Sequence, residues 1–141
     1  MQCLLCDEEG GTVLWRDDFC RIVRVPGADY PGLCRVVLNR HVREMTDLPD
    51  HDKARLMGVV FAAESTLCGL FRPDKINLAS FGNQVAHLHW HVIARTSDDP
   101  HFPDPAWGPA RRGASAGGRK VSDAEIAARL VELLDPPSVS A

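Results

Sequence analysis

The chain has 141 residues, 45% hydrophobic and 25% charged, enough for one packed core. Sixteen Lys and Arg against 19 Asp and Glu leave a net charge of -3 at pH 7, so there is no overall basic field to hold nucleic acid. No apolar run approaches the roughly 20 residues of a membrane span, and the start Met1-Gln2-Cys3-Leu4-Leu5-Cys6 lacks the basic region and length of a signal peptide, which argues against a membrane partner. Five cysteines is an odd number; without an export signal they read as reduced thiols or metal ligands, and the expected location is the cytoplasm.

In chain order, the segments 12–16, 21–25 and 33–38 alternate as half-buried strands do, with a tight turn at Asp17-Asp18 and a longer loop through Pro26-Gly27 to Pro31-Gly32. The period then changes. From Asp50 to Phe71 apolar residues recur at helical spacing (Leu56, Val59, Val60, Ala63, Leu67, Leu70), with Asp50 as the expected N-cap and Pro73 beyond the end. Residues 75–79 read as a fourth strand and, after a turn at Gly82-Asn83, residues 85–94 as a fifth. Residues 96–120, with Pro100, Pro103, Pro105, Pro109 and the small-residue run 113–118, form an irregular excursion expected to be mobile over 113–118. Ser122 to Glu125 has the form of a capping box, and Ile126, Leu130, Leu133 and Leu134 supply the stripe of a short C-terminal helix. The predicted class is α+β: an antiparallel sheet of about five strands with one main helix, in which residues 1–95 carry the chemistry and 96–141 complete the same domain.

The most informative stretch is His87-Leu88-His89-Trp90-His91-Val92-Ile93. On a strand the three imidazoles share one face, while Leu88, Trp90 and Val92 turn toward the helix. At the chain's own frequency of six histidines, a given histidine is followed by two more at i+2 and i+4 by chance about 0.002 of the time. The pattern therefore points to chemistry or to metal. Cys3-Leu4-Leu5-Cys6 is weaker, because two thiols near a terminus also pack as small hydrophobes. Cys20, Cys34 and Cys68 read as packing residues.

The motif His-apolar-His-apolar-His-apolar-apolar, preceded by Gly82-Asn83-Gln84-Val85 and by Asn77, and with the junction from His41 to Leu48 ahead of the main helix, resembles the histidine triad (HIT) superfamily of nucleotide hydrolases and transferases. With Cys-x-x-Cys, Trp-Arg-Asp-Asp and Asp-Pro-His-Phe-Pro, the chain resembles the bacterial branch often labelled diadenosine tetraphosphate hydrolase-like. The resemblance runs from about Trp15 to Arg95. It implies a nucleotide substrate, cleaved at the α-phosphorus of a phosphoanhydride or phosphoramidate by His89 through a nucleotidyl-histidine, with His91 stabilising charge. It also implies phosphate or nucleotide contacts from Asn77, Gln84, His87 and His91, a homodimer, and no cofactor for the chemistry. In some members two such cysteines, a histidine at the His41 position and the first triad histidine hold a structural zinc; here that set is Cys3, Cys6, His41 and His87.

Two departures from the pattern stand out. Val25 occupies a position where many relatives carry a ribose-binding aspartate, and Asp29 is the nearby acidic substitute. Gln84 replaces a residue, often Ser or Thr, near the leaving group. Trp15, Phe19 and Val23 line a purine pocket or belong to the core; Phe102 and Trp107 are expected near the active face. Arg111-Arg112 and Arg119-Lys120 make a small basic cluster read as a solvated linker or a reach toward distal phosphates. A non-catalytic nucleotide-binding or metal-sensing protein and a metallohydrolase with zinc on the triad itself are the rival functions.

Overall fold

The computed structural model describes residues 2–27, 29–115 and 118–136. A single helical turn, α1 (Leu4–Asp7), precedes strands β1 (Thr12–Arg16), β2 (Cys20–Arg24) and β3 (Leu33–Leu38); then come helix α2 (Asp50–Phe71), strands β4 (Lys75–Ala79) and β5 (His89–Arg95), and helix α3 (Asp123–Leu134). The strands form one sheet in the order β1-β2-β3-β5-β4, every neighbour antiparallel. The expected α+β architecture is the one observed; α1 is an addition to it.

Strand alternation divides the sheet into two faces. Cys20 and Ile22 on β2, Cys34, Val36 and Leu38 on β3, and Val92 on β5 pack with Leu56, Val59, Val60, Ala63 and Leu67 of α2. Truncating a central member such as Leu56 or Leu67 to Ala removes buried methylenes and leaves a cavity, a loss of about 2–5 kcal/mol. By length and by a mean hydropathy of 1.4 over an 18-residue window, α2 is long and apolar enough to cross a bilayer; in the fold its apolar stripe packs on the sheet as part of the core. Helix α3 packs on α2 and β1 through Ile126 and Leu130. Its capping box is present in both directions, Glu125 N–H to Ser122 Oγ at 3.1 Å and Ser122 N–H to Glu125 Oε2 at 2.7 Å. Trp15 Nε1 donates to Asp135 Oδ2 at 2.7 Å, fastening the end of α3 to β1.

Several sequence expectations are corrected. Pro49, not Asp50, is the N-cap of α2, because the extended Pro49 leads straight into a first helical residue at Asp50. Leu133 is exposed on α3, where Ile126 and Leu130 suffice to cover α2. Cys68 is also exposed, whereas Cys20 and Cys34 are core thiols that burial pushes up to about 12. Trp15 and Phe19 join the helix-side core, but Val23 lies on the other face with Leu5 and Val37, so the three do not form one pocket. Ahead of residues 113–118 the excursion is held by its own hydrogen bonds: Asp99 accepts from the amides of His101 and Phe102, and Arg112 Nη1 donates to the carbonyls of Asp99 and Phe102. Arg111 pairs with Asp104 inside the segment, and Arg119 donates to the Leu70 carbonyl near the end of α2, so one arginine closes the segment on itself and the other ties it to the helix. Within the segment 113–118, Ala116 and Gly117 lie outside the described residues, while Ser115 Oγ donates to Asp98 Oδ2 at 2.7 Å.

The face opposite α2 is covered at one end by α1. Leu5 packs on Val23 and Val37 with Cys3 alongside, and Arg21, buried on the same face, holds the carbonyls of Leu5, Glu8 and Glu9. The chain returns to β1 through Gly10 at φ +90° and Gly11, where a Cβ would lie 2.5 Å from the Arg24 carbonyl oxygen.

Candidate functional site

The register places the functional side chains on that second face. Across β3 and β5, Val37 opposes His89 and Arg35 opposes His91; across β4 and β5, Asn77 opposes Ile93 and Ala79 opposes His91. The fifth strand starts at His89, four residues later than its apolar pattern suggested, because Leu88 is held between β3 and the next junction: its N–H bonds the Val42 carbonyl at 2.7 Å and its carbonyl accepts from Leu38 N–H. His87 therefore precedes the strand and turns inward, fully buried at 0% exposure.

Each of the first two triad rings has one nitrogen fixed by a backbone carbonyl. Nε2 of His87 is 2.6 Å from the Leu38 oxygen, and Nδ1 of His89 is 2.6 Å from the His87 oxygen. A carbonyl only accepts, so these two nitrogens carry the protons and their ring partners hold the lone pairs. The lone pair of His87, at Nδ1, faces Cys3 Sγ at 3.3 Å and Cys6 Sγ at 3.5 Å, and Cys6 Sγ is 3.6 Å from His41 Nδ1. All four ligand atoms lie within 4.8 Å of one another. A zinc tetrahedron with Zn–S near 2.3 Å and Zn–N near 2.0–2.1 Å has edges of about 3.5 Å, so the three short separations fit its edges and the donor set fits the metal. Both His87 nitrogens are then engaged, leaving neither for the nucleotide contact expected of it.

His89 offers Nε2. The ring is 6% exposed, and burial lowers its pKa, with Arg35 adding to the shift and the His87 carbonyl opposing it. His91, 5% exposed, is lowered to about 4 by burial, then by His89 and Arg35. Both rings are neutral at pH 7. They meet edge to face at 4.9 Å, and Nδ1 of His91 is buried without a partner. A cavity of about 160 Å³ beside His89 is lined by Ser80, Gly82, Asn83, Arg43 and Glu44. That volume suits a phosphoryl group rather than a whole nucleotide.

Asn77 is oriented by a buried arginine. Its Oδ1 accepts from Arg95 Nη1 at 2.8 Å, while Arg95 Nε and Nη2 grip Asp99 at 2.6 and 3.0 Å and Nη2 also reaches the Asp104 carbonyl. Burial pushes Asp99 up, but Arg95 and the two amides outweigh it and hold the carboxyl at about 2. Because a guanidinium only donates, Asn77 presents its Nδ2 amide as the remaining donor. Trp107 reaches the triad as expected, edge to face with His91 at 4.9 Å, and Phe81 stacks on Trp107 at 5.3 Å; the pair is 49% and 48% exposed. Phe102 sits beside the Arg95 guanidinium that orients Asn77. Gln84 is exposed and lines the outer cleft with Cys3, Cys6 and His41 rather than the cavity at His89. Val25 is half-buried just past the end of β2, and Asp29 is exposed on a separate cavity with Tyr30 and Phe71.

The family profile of the HIT domain matches residues 7–98, well over half of the chain. The chain belongs to the HIT family. Solved HIT proteins from Sinorhizobium meliloti (28% identity, TM-score 0.69, 89% of this chain and 91% of that one) and Marinobacter aquaeolei (28%, 0.70, 90% of each) share its fold, as does the histidine triad protein of Bradyrhizobium japonicum (26%, 0.70, 89% and 92%). The AP-4-A phosphorylases of two Mycobacterium tuberculosis strains are 33% identical over 104 residues, 70% of this chain and 53% of theirs. This HIT chain thus spans about half the length of the curated relatives it matches.

Sequence reasoning missed two HIT-face residues. Arg35 shares the parity of Val37, but only the β3–β5 register puts it beside His91. Arg95 ends β5 as an apparent surface charge, and only the turn returning Asp99 reveals its burial.

Proposed function

We propose that this HIT protein cleaves a nucleotide at its α-phosphorus, with Nε2 of His89 as nucleophile. The observation that carries the reading is the 2.6 Å contact from His89 Nδ1 to the His87 carbonyl, which fixes the tautomer and leaves a neutral lone pair at Nε2. Nε2 forms a bond to phosphorus as the bond to the leaving group breaks, and the ring, now bonded at both nitrogens, carries positive charge that the His87 carbonyl dipole stabilises. Water then attacks phosphorus, the P–N bond breaks, and nucleoside monophosphate leaves with His89 restored to its neutral form. His91 and the Nδ2 amide of Asn77 bind the non-bridging oxygens on which charge develops. Ser80 Oγ donates to the His89 carbonyl at 3.1 Å and steadies the start of β5.

Cys3, Cys6, His41 and His87 would hold a structural zinc, which fastens the N-terminal turn to the triad and takes no part in the reaction. The HIT family and the similarity to AP-4-A phosphorylases support a nucleotide bearing a phosphoanhydride as substrate. The protein acts as a homodimer in the cytoplasm, and sedimentation at micromolar concentration tests the former. The deciding experiment is incubation with a panel of dinucleoside polyphosphates, nucleoside phosphoramidates and adenylyl sulfate. Mononucleotide release from at least one class is expected; binding of the panel without any release would favour the nucleotide-sensing alternative.

A further inference from the structure

Arg35 lies at the centre of the histidine face without a part in the reaction above. It is the register partner of His91 on one side and of Val23 on the other. Its Nη1 donates to the Gly10 carbonyl at 3.1 Å, its Nε is buried with no partner, and among the described residues no carboxylate pairs with it. The two other buried arginines of this face are neutralised: Arg21 has the Glu9 carboxylate at 3.3 Å and several carbonyls, and Arg95 has Asp99. A half-buried guanidinium loses hydration that one carbonyl does not replace, and burial lowers its pKa with no anion to offset it. An anion is the partner that would offset this charge.

The place of Arg35 limits where that anion sits. Cross-strand neighbours in an antiparallel ladder are about 4.5–5.5 Å apart at Cα, and the Arg35 charge is close enough to His89 and His91 to act on both rings, so a phosphoryl group bound at those rings would have the guanidinium as a neighbour. The planar fork of Arg suits the paired oxygens of a phosphate. We propose that Arg35 forms an anion subsite that takes a second phosphoryl group of the substrate, adjacent to the one His89 attacks. Which phosphoryl is attacked rests on the reading of His89 given above. The second phosphoryl has two sources, the next unit of a phosphoanhydride chain or a phosphate carried on the ribose.

Calorimetric titration of the full chain with AMP, ADP and adenosine 3′,5′-bisphosphate separates them without any need for turnover. One of the two-phosphate ligands should bind about tenfold or more tightly than AMP, the scale of a charge-assisted contact. A gain for ADP assigns the subsite to the anhydride chain, and a gain for the bisphosphate assigns it to the ribose phosphate. In Arg35→Gln that gain should vanish, and Arg35→Lys should recover part of it as a point charge. If AMP binds and neither ligand improves on it in the unmodified protein, the subsite is overturned while the His89 chemistry stands. A gain that survives in Arg35→Gln overturns it as well and leaves Arg35 as a prop for Gly10. A chain that binds none of the three overturns the subsite and the nucleotide reading together.

Discussion

His87 and His89 are the same side chain two residues apart, and each is pinned by one backbone carbonyl at 2.6 Å, yet their free nitrogens face different surroundings. The carbonyl of Leu38 holds Nε2 of His87 and turns Nδ1 to the thiols of Cys3 and Cys6; the carbonyl of His87 holds Nδ1 of His89 and frees Nε2. Which nitrogen the backbone takes thus decides where the free lone pair points, toward the cysteines for His87 and, on the proposed reading, toward phosphorus for His89. The two are also linked in series, because the carbonyl that orients His89 belongs to the residue in the cysteine cluster.

The comparison breaks most sharply at His89. His89→Asn should lower turnover by roughly 10³-fold or more, as loss of a nucleophile does, and leave metal content and melting unchanged. Steady-state kinetics with metal analysis check both halves. Next in size, Asn77→Ala should lower kcat by about 10²-fold, the worth of one preorganised donor. Asn77→Asp keeps an oxygen for Arg95 but presents a second oxygen where the amide stood; it should lose as much activity with no loss of stability, which separates the donor from the scaffold.

The other half of the comparison is tested at the cysteines. Purified without a histidine tag, the protein should carry about one zinc per chain; Cys3→Ser with Cys6→Ser should lose it and lower the melting temperature by several degrees, while turnover of the folded fraction falls less than in His89→Asn. Zinc near zero with unchanged melting would return the cysteines to simple packing.

The smallest expected effect is in pH. His91 is lowered from its ordinary value to about 4, so between roughly 6.5 and 4 the unfolded chain binds a proton that the folded one refuses. Stability should fall as pH drops through that window. Urea midpoints for the native protein and His91→Gln should converge toward pH 4, the variant showing the shallower slope; parallel slopes would contradict it.

Much of this molecule is legible in its sequence, and the limits have physical causes. The bounds of α2 and of β1, β3 and β4 follow from their periodicity, and the α3 cap from Ser122 and Glu125. The four-residue delay of β5 was hidden because Val85 and Leu88 look like strand residues, while only the bonds from Leu88 to Leu38 and Val42 pull the chain out of the ladder. The set Cys3, Cys6, His41 and His87 was legible as residue types, and the fold brings it together. Arg35 and the Arg95–Asn77 contact were not legible, since strand register and a returning turn are long-range facts that no local pattern carries. Gln84 shows the converse, a position inferred from similarity whose side chain opens onto the outer cleft.

The most direct test of the central claim is to trap the intermediate. The protein is mixed with a dinucleoside polyphosphate, quenched in base within one turnover, and digested, and the peptide containing residues 87–91 is sequenced by mass spectrometry. A nucleotidyl group on His89, absent from His89→Asn, is the predicted result; a nucleotidyl group on His91 or elsewhere, or product formation that persists in His89→Asn, would contradict it.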